Sequence, residues 1–367
     1  MRLLVEAGNG AVGVEDGVIV APTGDFDVVL RVSDGELRPG LINAHDHLHR
    51  NHYGRLGHPP YANAYDWGHD IHRRDRARIA AGRTMARRDA LLVGAWKNLR
   101  AGVTTVVHHD AWEPAFEQEF PLTVVPLHTA HSLGFESALS SPPLHQPFAI
   151  HLAEGRDTRS ADEVRELEVR GLLDGRLLAV HMCGADADGI SRFRRSGAAV
   201  VWCPTSNLFL FECAVPSALL APGVDVIVGS DSLLTGAGSL LDELRYARAL
   251  GLVSDERLRA AVGSIAAERL GVESPAIEPG ARADLVVLRR PLLEARDADV
   301  AVAICRGELR VLDPLLVPAL GTFRHRGRIV AREGVSRWQS DHCSSSSSRS
   351  AGGAPRVTLP ASRRVKR

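Results

Sequence analysis

The residues able to do chemistry in this sequence close short apolar runs. The segment Pro39-Gly-Leu-Ile-Asn-Ala-His-Asp-His-Leu-His49 sets His45 and His47 two residues apart. Side chains in a strand repeat every two residues, so the two imidazoles point the same way. At the C-terminal mouth of a barrel strand such a pair can chelate one metal ion. The pair says little by itself, because surface and core HxH pairs arise by chance. Three further runs end in the same manner: Pro147-Phe-Ala-Ile-His151 with Glu154 three residues on, Leu177-Leu-Ala-Val-His181, and Val226-Ile-Val-Gly-Ser-Asp231. Buried imidazoles and carboxylates are costly unless paired or bound to metal, so several at strand ends point to one polar centre.

The elements that must position these residues follow from the apolar periodicity. Residues 1–38 read as short strands separated by Gly- and Asp-containing turns. From residue 39 to 278 the pattern is strand, loop, amphipathic helix, strand. Helical spacing covers 75–99, and strands fall at 103–107, 122–126, 148–152, 177–180, 199–202 and 224–228. Such alternation implies a parallel sheet, and at this length a (β/α)8 barrel is its commonest form. Fewer than twenty residues, rich in Ser and Pro, separate 129 from 148. A full strand-plus-helix unit hardly fits there, so the barrel is expected to be distorted at that point. Strand-and-turn grammar returns over 279–339, with a hairpin-like stretch at 322–331 around Gly327. The two flanking β segments are expected to pair into one small sandwich. Residues 340–367, with the run Ser344–Ser348, cannot bury a core and read as a disordered tail.

Composition removes several function classes. The 367 residues are 45% hydrophobic and 24% charged, which is globular, with 44 cationic residues balancing 44 acidic ones. A general attraction to nucleic acid or to an acidic membrane has no support in that balance. No apolar run is long enough to span a bilayer. Five cysteines without a CxxC pair indicate neither a disulfide framework nor a cysteine zinc site, and a cytoplasmic location is expected. The chain has 16 histidines, clustered rather than spread, and only two lysines, Lys97 and Lys366.

Taken together, PGLINAHDH, the helix-then-GVTTVV step, FAIHLAE, AVHMCGADADG followed by VVWCPTSNL, VIVGSDS and the late IEPGARADLVVL resemble the amidohydrolase superfamily. Order and spacing are most similar to its cytosine deaminase, S-adenosylhomocysteine deaminase and chlorohydrolase branch, over roughly residues 1–335. That resemblance implies an α/β fold, a distorted (β/α)8 TIM-like barrel with a β-sandwich built from both chain ends. It implies one divalent metal, zinc before iron, held by His45, His47, His151 and Asp231. Glu154 then stands in the place of the proton-shuttling carboxylate, and His181 in that of the histidine facing substrate as charge develops. Asp231 would also take the proton of the attacking water. Neither lysine is placed to bridge a second metal as a carbamate, which favours one ion.

The implied activity is hydrolytic deamination of an aminated nitrogen heterocycle, a small-molecule substrate. Amide hydrolysis or expulsion of halide on the same site, and a metal-binding barrel without turnover, are the alternatives. A homodimer is compatible with this reading. The stretch 48–74, with five histidines, Tyr53, Tyr61, Tyr65 and Trp67, reads equally as a lid over a flat substrate or as a structural cover. One of His108, His109, His128 and His131 is expected to line the pocket, and Asn207 to hold the loop after the sixth strand. The arginines at 73–78 and 87–88 read as a solvated helix face.

Overall fold

Alternating apolar residues pair the N-terminal strands first. In the computed structural model, which describes residues 1–135, 142–332 and 335–341, β1 (Leu3–Ala7), β2 (Gly10–Glu15), β3 (Val18–Val20) and β4 (Val28–Val32) form a sheet in the order β3-β2-β1-β4. The chain then runs through β5 (Glu36–Pro39) into a parallel series. Its members are β6 (Leu41–Asp46), β7 (Val103–His108), β8 (Thr123–Val124), β9 (His128–Ala130), β10 (Phe148–Leu152), β11 (Leu177–His181), β12 (Ala199–Trp202) and β13 (Val226–Val228).

These strands form two parallel arcs, β6-β7-β8 and β13-β12-β11-β10-β9. On one side the arcs meet because β8 and β9 follow each other on a single run of chain. Pro126 lies between them and has no N–H to extend the ladder. The irregularity lies earlier than the one expected between 129 and 148: no helix separates β8 from β9. On the other side the first and last strands are stitched through a third segment. Val228 N donates to Ala261 O (3.2 Å) and Ile42 N to Val262 O (2.9 Å), while Ser230 N and Asp231 N both donate to His45 O at 3.0 Å.

The helices are α1 (Ala64–Arg74), α2 (Arg76–Gly82), α3 (Arg87–Arg100), α4 (Thr158–Val169), α5 (Ala187–Ser196), α6 (Pro204–Phe211), α7 (Ser217–Leu220), α8 (Leu240–Leu250), α9 (Asp255–Ala260) and α10 (Ser264–Leu270). Leu91 and Leu99 of α3, Val164 and Leu167 of α4, Phe193 of α5 and Leu244 of α8 are fully buried with the strand residues Val106, Ile150, Ala179 and Val200 in one core. Asp157 and Asp186 cap α4 and α5 by accepting from Ser160 N and Gly189 N.

Beyond the barrel, β14 (Leu285–Leu288), β15 (Val300–Cys305), β16 (Glu308–Leu312), β17 (Gly327–Arg332) and β18 (Val335–Ser340) form a six-stranded sheet with β5, in the order β17-β18-β16-β15-β14-β5. Leu3, Val14 and Leu30 from the N-terminal sheet share a buried cluster with Val287, Ala301 and Trp338 of this one. The two chain ends therefore make one sandwich.

Four local expectations are corrected. The helix read across 75–99 is two helices, α2 ending at Gly82 and α3 starting at Arg87, because Ala86 between them takes non-helical backbone (ψ 139°). The stretch 48–74 is not wholly loop: it contains a turn of 3-10 helix, Leu48–Arg50, and all of α1. The hairpin placed around Gly327 lies further on, pairing β17 with β18, and 3-10 helix fills Pro314–Arg326 instead. Ser340, assigned to the tail, closes β18; of the remaining tail only Asp341 is among the described residues. No helix among the described residues is long and apolar enough to cross a membrane.

The stitch between first and last strands depends on Gly229. A Cβ there would stand 2.5 Å from His45 Cβ and 3.0 Å from His45 N, so only hydrogen fits. Gly229→Ala is expected to destabilise the fold by about 1–3 kcal/mol through overpacking, read as a lowered midpoint in denaturant titration.

Candidate metal centre

Strand geometry delivers the site residues to one end of the barrel. His45 ends the inward-facing alternation of β6, and His47 follows just past its last residue. His151 lies within β10, His181 closes β11, and Asp231 stands three residues after β13. His181 and Asp231 take left-handed backbone, φ 76° and 51°, as does Ala153 (φ 49°) beside Glu154. Non-glycine residues in this region hold strain that the surroundings must outweigh, and such residues concentrate at functional sites.

Two triplets of ligand atoms converge, His45–His47–Asp231 and His45–His151–His181, each within 4.8 Å of one another. His45 Nε2 and His47 Nε2 lie 3.8 and 4.0 Å from Asp231 Oδ1. His45 belongs to both triplets, is fully buried, and neither of its ring nitrogens has a hydrogen-bond partner among the described residues. A buried polar atom without a partner is expensive unless something binds it. The remaining imidazoles are each fixed through Nδ1. His47 Nδ1–H donates to Asp110 Oδ2 (2.6 Å), His151 Nδ1–H to His131 O (2.5 Å) and His181 Nδ1–H to Asn207 Oδ1 (2.8 Å). Asn207 Nδ2 donates back to His181 O (3.3 Å), which fixes its amide orientation. A neutral imidazole that donates through one nitrogen carries a lone pair on the other, so each Nε2 is ready to coordinate.

Burial, reinforced by neighbouring imidazoles, holds His45, His47 and His151 well below the ordinary histidine range and keeps those three rings neutral; Arg50 adds to the effect at His45 and His47. Asp231 is held from both sides: Oδ2 accepts from Ser206 Oγ (2.8 Å) and Thr235 Oγ1 (2.7 Å), and Oδ1 from Ser232 N (2.7 Å). The donor set of imidazole nitrogen plus carboxylate oxygen fits one divalent ion of the zinc or iron kind.

Glu154 sits beside this set rather than within it. Its Oε1 is 3.4 Å from His181 Nε2 and its side chain is 13% exposed. Burial pushes its carboxyl up to about 7. The backbone around it is braced by Glu163 of α4, whose Oε2 accepts from Ala153 N (2.8 Å) and which also accepts from the Tyr65 hydroxyl. Glu154 O accepts from Ala64 N (3.0 Å), joining the acid to the start of α1.

The cavity over these groups measures about 40 Å³ and is walled by Trp67, Phe135, Arg50 and His131, with Glu154 and Asp231 at its floor. The same four wall residues border a second cavity of about 520 Å³. Of the aromatic residues in 48–74, Trp67 alone lines the inner cavity among the described residues; Tyr53 lines the outer one. Tyr61 and Tyr65 are buried and bonded to Asp70 and Glu163, so they act as structural cover.

Asp110, Arg50 and Asp46 escaped sequence reasoning, and of the four histidines offered as lining the pocket, His131 lines the inner cavity. Asp110 orients His47, and Arg50 Nη2 donates to its other oxygen (2.9 Å). Asp46, between the two histidines, is fully buried and accepts from Asn51 and Asn98. His109 lies with its ring centroid 4.8 Å from that of His45 and 4.2 Å from that of His151. His108 accepts from Leu48 N instead, and so supports the turn after β6. The only signal for this group was proximity to strand ends, which does not tell a partner from a bystander.

Comparison with known proteins agrees with this arrangement. Residues 145–310 match the model of the Amidohydrolase family. The chain is 41% identical over 104 residues to an aminodeoxyfutalosine deaminase of Deinococcus radiodurans, covering 27% of this chain and 25% of that protein. It is 30% identical over 203 residues to a 5-methylthioadenosine/S-adenosylhomocysteine deaminase of Pyrococcus furiosus, covering 46% and 47%. The matched stretches thus span from a quarter to about half of the length of these relatives. In fold the chain is similar to an adenosine deaminase of Xanthomonas campestris with bound zinc (TM-score 0.60, 19% identity, 88% of this chain and 98% of that one). It is likewise similar to an atrazine chlorohydrolase variant of Arthrobacter aurescens complexed with zinc and atraton (TM-score 0.61, 14% identity, 88% and 100%). The barrel that gathers His45, His151, His181 and Asp231 is similar in fold to these enzymes, and its second half, within residues 145–310, matches the amidohydrolase family model.

Proposed function

We propose that this site performs hydrolytic deamination of an aminated nitrogen heterocycle at one divalent ion, zinc in preference to iron. The observation that carries the reading is His45: fully buried, without a partner at either ring nitrogen, and common to two convergent ligand triplets. His45, His47, His151 and Asp231 would hold the ion. When bound, it supplies a Lewis acid that acidifies water near neutral pH.

The chain's own groups do the rest. Asp231 Oδ1, facing the two β6 histidines, takes the proton of the attacking water. Attack on an amino-bearing sp² carbon puts electron density on the adjacent ring nitrogen. Glu154, kept protonated to about pH 7 by burial, delivers its proton there. His181, beside the same carboxyl, would need a proton on Nε2 as well as on Nδ1 to donate to charge gathering on substrate. Trp67 and Phe135 wall the cavity and offer flat faces to a ring. The proton taken by Asp231 passes to the amino group, the adduct's hydroxyl proton returns to Glu154 as the carbonyl forms, and loss of ammonia completes the reaction. The deaminase names borne by the Deinococcus and Pyrococcus relatives favour an adenosine-like substrate.

Incubating zinc-loaded protein with a panel of aminated purines, pyrimidines, pterins and triazines is expected to release ammonia from at least one member. Turnover of an acyl amide or a halogenated ring, with none on the aminated panel, would leave a hydrolase but defeat the deaminase reading.

A further inference from the structure

We propose that Lys97 is a positioning residue for this centre: from α3 it clamps the turn that carries Asp231 to the strand that carries His45 and His47. The inference rests on reading those three residues as metal ligands. In a chain whose other cationic residues, Lys366 aside, are all arginine, one lysine is buried directly behind the site. Its side chain is 5% exposed and its Nζ meets three acceptors: Asp231 O at 2.7 Å, Ser230 Oγ at 3.0 Å and Asp46 Oδ2 at 3.0 Å.

An ammonium has three donors on one compact head, and here each has a partner. A guanidinium spreads its donors over a planar fork and cannot converge on three acceptors around a point. The three acceptors also come from both sides of the stitch. Asp46 lies between the two ligand histidines on β6, whereas Ser230 and Asp231 follow β13. Asp231 N donates to His45 O (3.0 Å), while Asp231 O accepts from Lys97, so the peptide groups flanking its left-handed Cα are gripped from opposite directions. Asn43 completes the clamp: its Nδ2 donates to Ser230 Oγ (2.8 Å) and its Oδ1 accepts from Ser230 N (3.0 Å). Without Lys97 the carboxylate of Asp231 keeps its side-chain partners and the bonds to His45 O, but the Asp231 carbonyl loses the anchor that ties it to Asp46.

The test separates positioning from charge balance. Lys97→Met alone would leave the Asp46 carboxylate buried beside no cation, which is strongly destabilising in itself. The Lys97→Met/Asp46→Asn double variant removes both charges together. It is expected to melt within a few degrees of the metal-free parent yet to bind zinc roughly 10–100-fold more weakly in competition with a chromophoric chelator, the scale for losing a ligand's supporting partner. Its cobalt(II) form should show a visible spectrum displaced from the parent's. Lys97→Arg, which keeps the charge, is expected not to restore zinc affinity. Parental zinc affinity and cobalt spectrum in the double variant, or in Lys97→Arg, would overturn the inference and leave Lys97 a counter-charge for Asp46. A parent chain that binds no zinc would instead overturn the ligand reading, and the inference with it.

Discussion

Glu154→Gln is expected to retain about one equivalent of metal while kcat falls by roughly 10²–10⁴-fold, the usual scale for a positioned acid–base group. The amide is nearly isosteric with the carboxyl and leaves the backbone contact from Ala64 N intact. It cannot release a proton to a ring nitrogen. The same residue sets a pH limb. Burial raises the Glu154 carboxyl from its ordinary value to about 7, so the proton-donating form is complete well below pH 7 and half present near it. Above that point the form falls tenfold per pH unit. In the parent protein kcat/KM is therefore expected to decline as pH rises through about 7, and in Glu154→Gln that limb should be absent. Loss of the metal from Glu154→Gln would show instead that Glu154 is a ligand, and the division between holding the ion and moving the proton would be wrong.

Strand ends were legible because a parallel barrel writes them plainly: an apolar run buried on both faces, then one polar residue at the mouth. That grammar placed His45, His151, His181 and Asp231 together although 186 positions separate the first from the last. What supports them was not legible. Asp110 reaches His47 across 63 positions, Asn98 reaches Asp46 across 52, and Lys97 reaches Asp231 across 134, with no local periodicity to mark any of the pairs. Lys97 was excluded as a bridge to a second metal, which its three committed hydrogen bonds agree with, but its actual contacts depend on tertiary packing. The split between α2 and α3 was hidden because the apolar periodicity runs on across it, while the break lies in the backbone at Ala86. The shortage of residues before Phe148 announced a distorted barrel, because chain length limits topology directly, but the missing helix falls between β8 and β9, at Pro126, which closed the strand read over 122–126.

The His45→Ala/His47→Ala double variant is expected to lose the metal altogether and, with it, the stability that metal confers. In the parent, His45 is buried with both nitrogens unpartnered, which costs stability in the metal-free protein and is relieved only when a cation takes a lone pair. Binding to the folded state alone stabilises it by RT ln(1 + [L]/Kd), about 4 kcal/mol at a thousandfold excess over Kd. Added zinc should therefore raise the melting temperature of the chelator-stripped parent by several degrees and leave that of the double variant unmoved. The comparison also has a sign that packing loss alone would not produce. Alanine removes two imidazoles that are desolvated and neutral, so the metal-free double variant should lose less stability against the metal-free parent than against the zinc-loaded one. Metal analysis of purified protein supplies the direct reading, about one equivalent for the parent and none for the variant. A full equivalent retained by the double variant, together with an undiminished zinc-dependent rise in melting temperature, would place the ion elsewhere and remove His45 and His47 from its ligands.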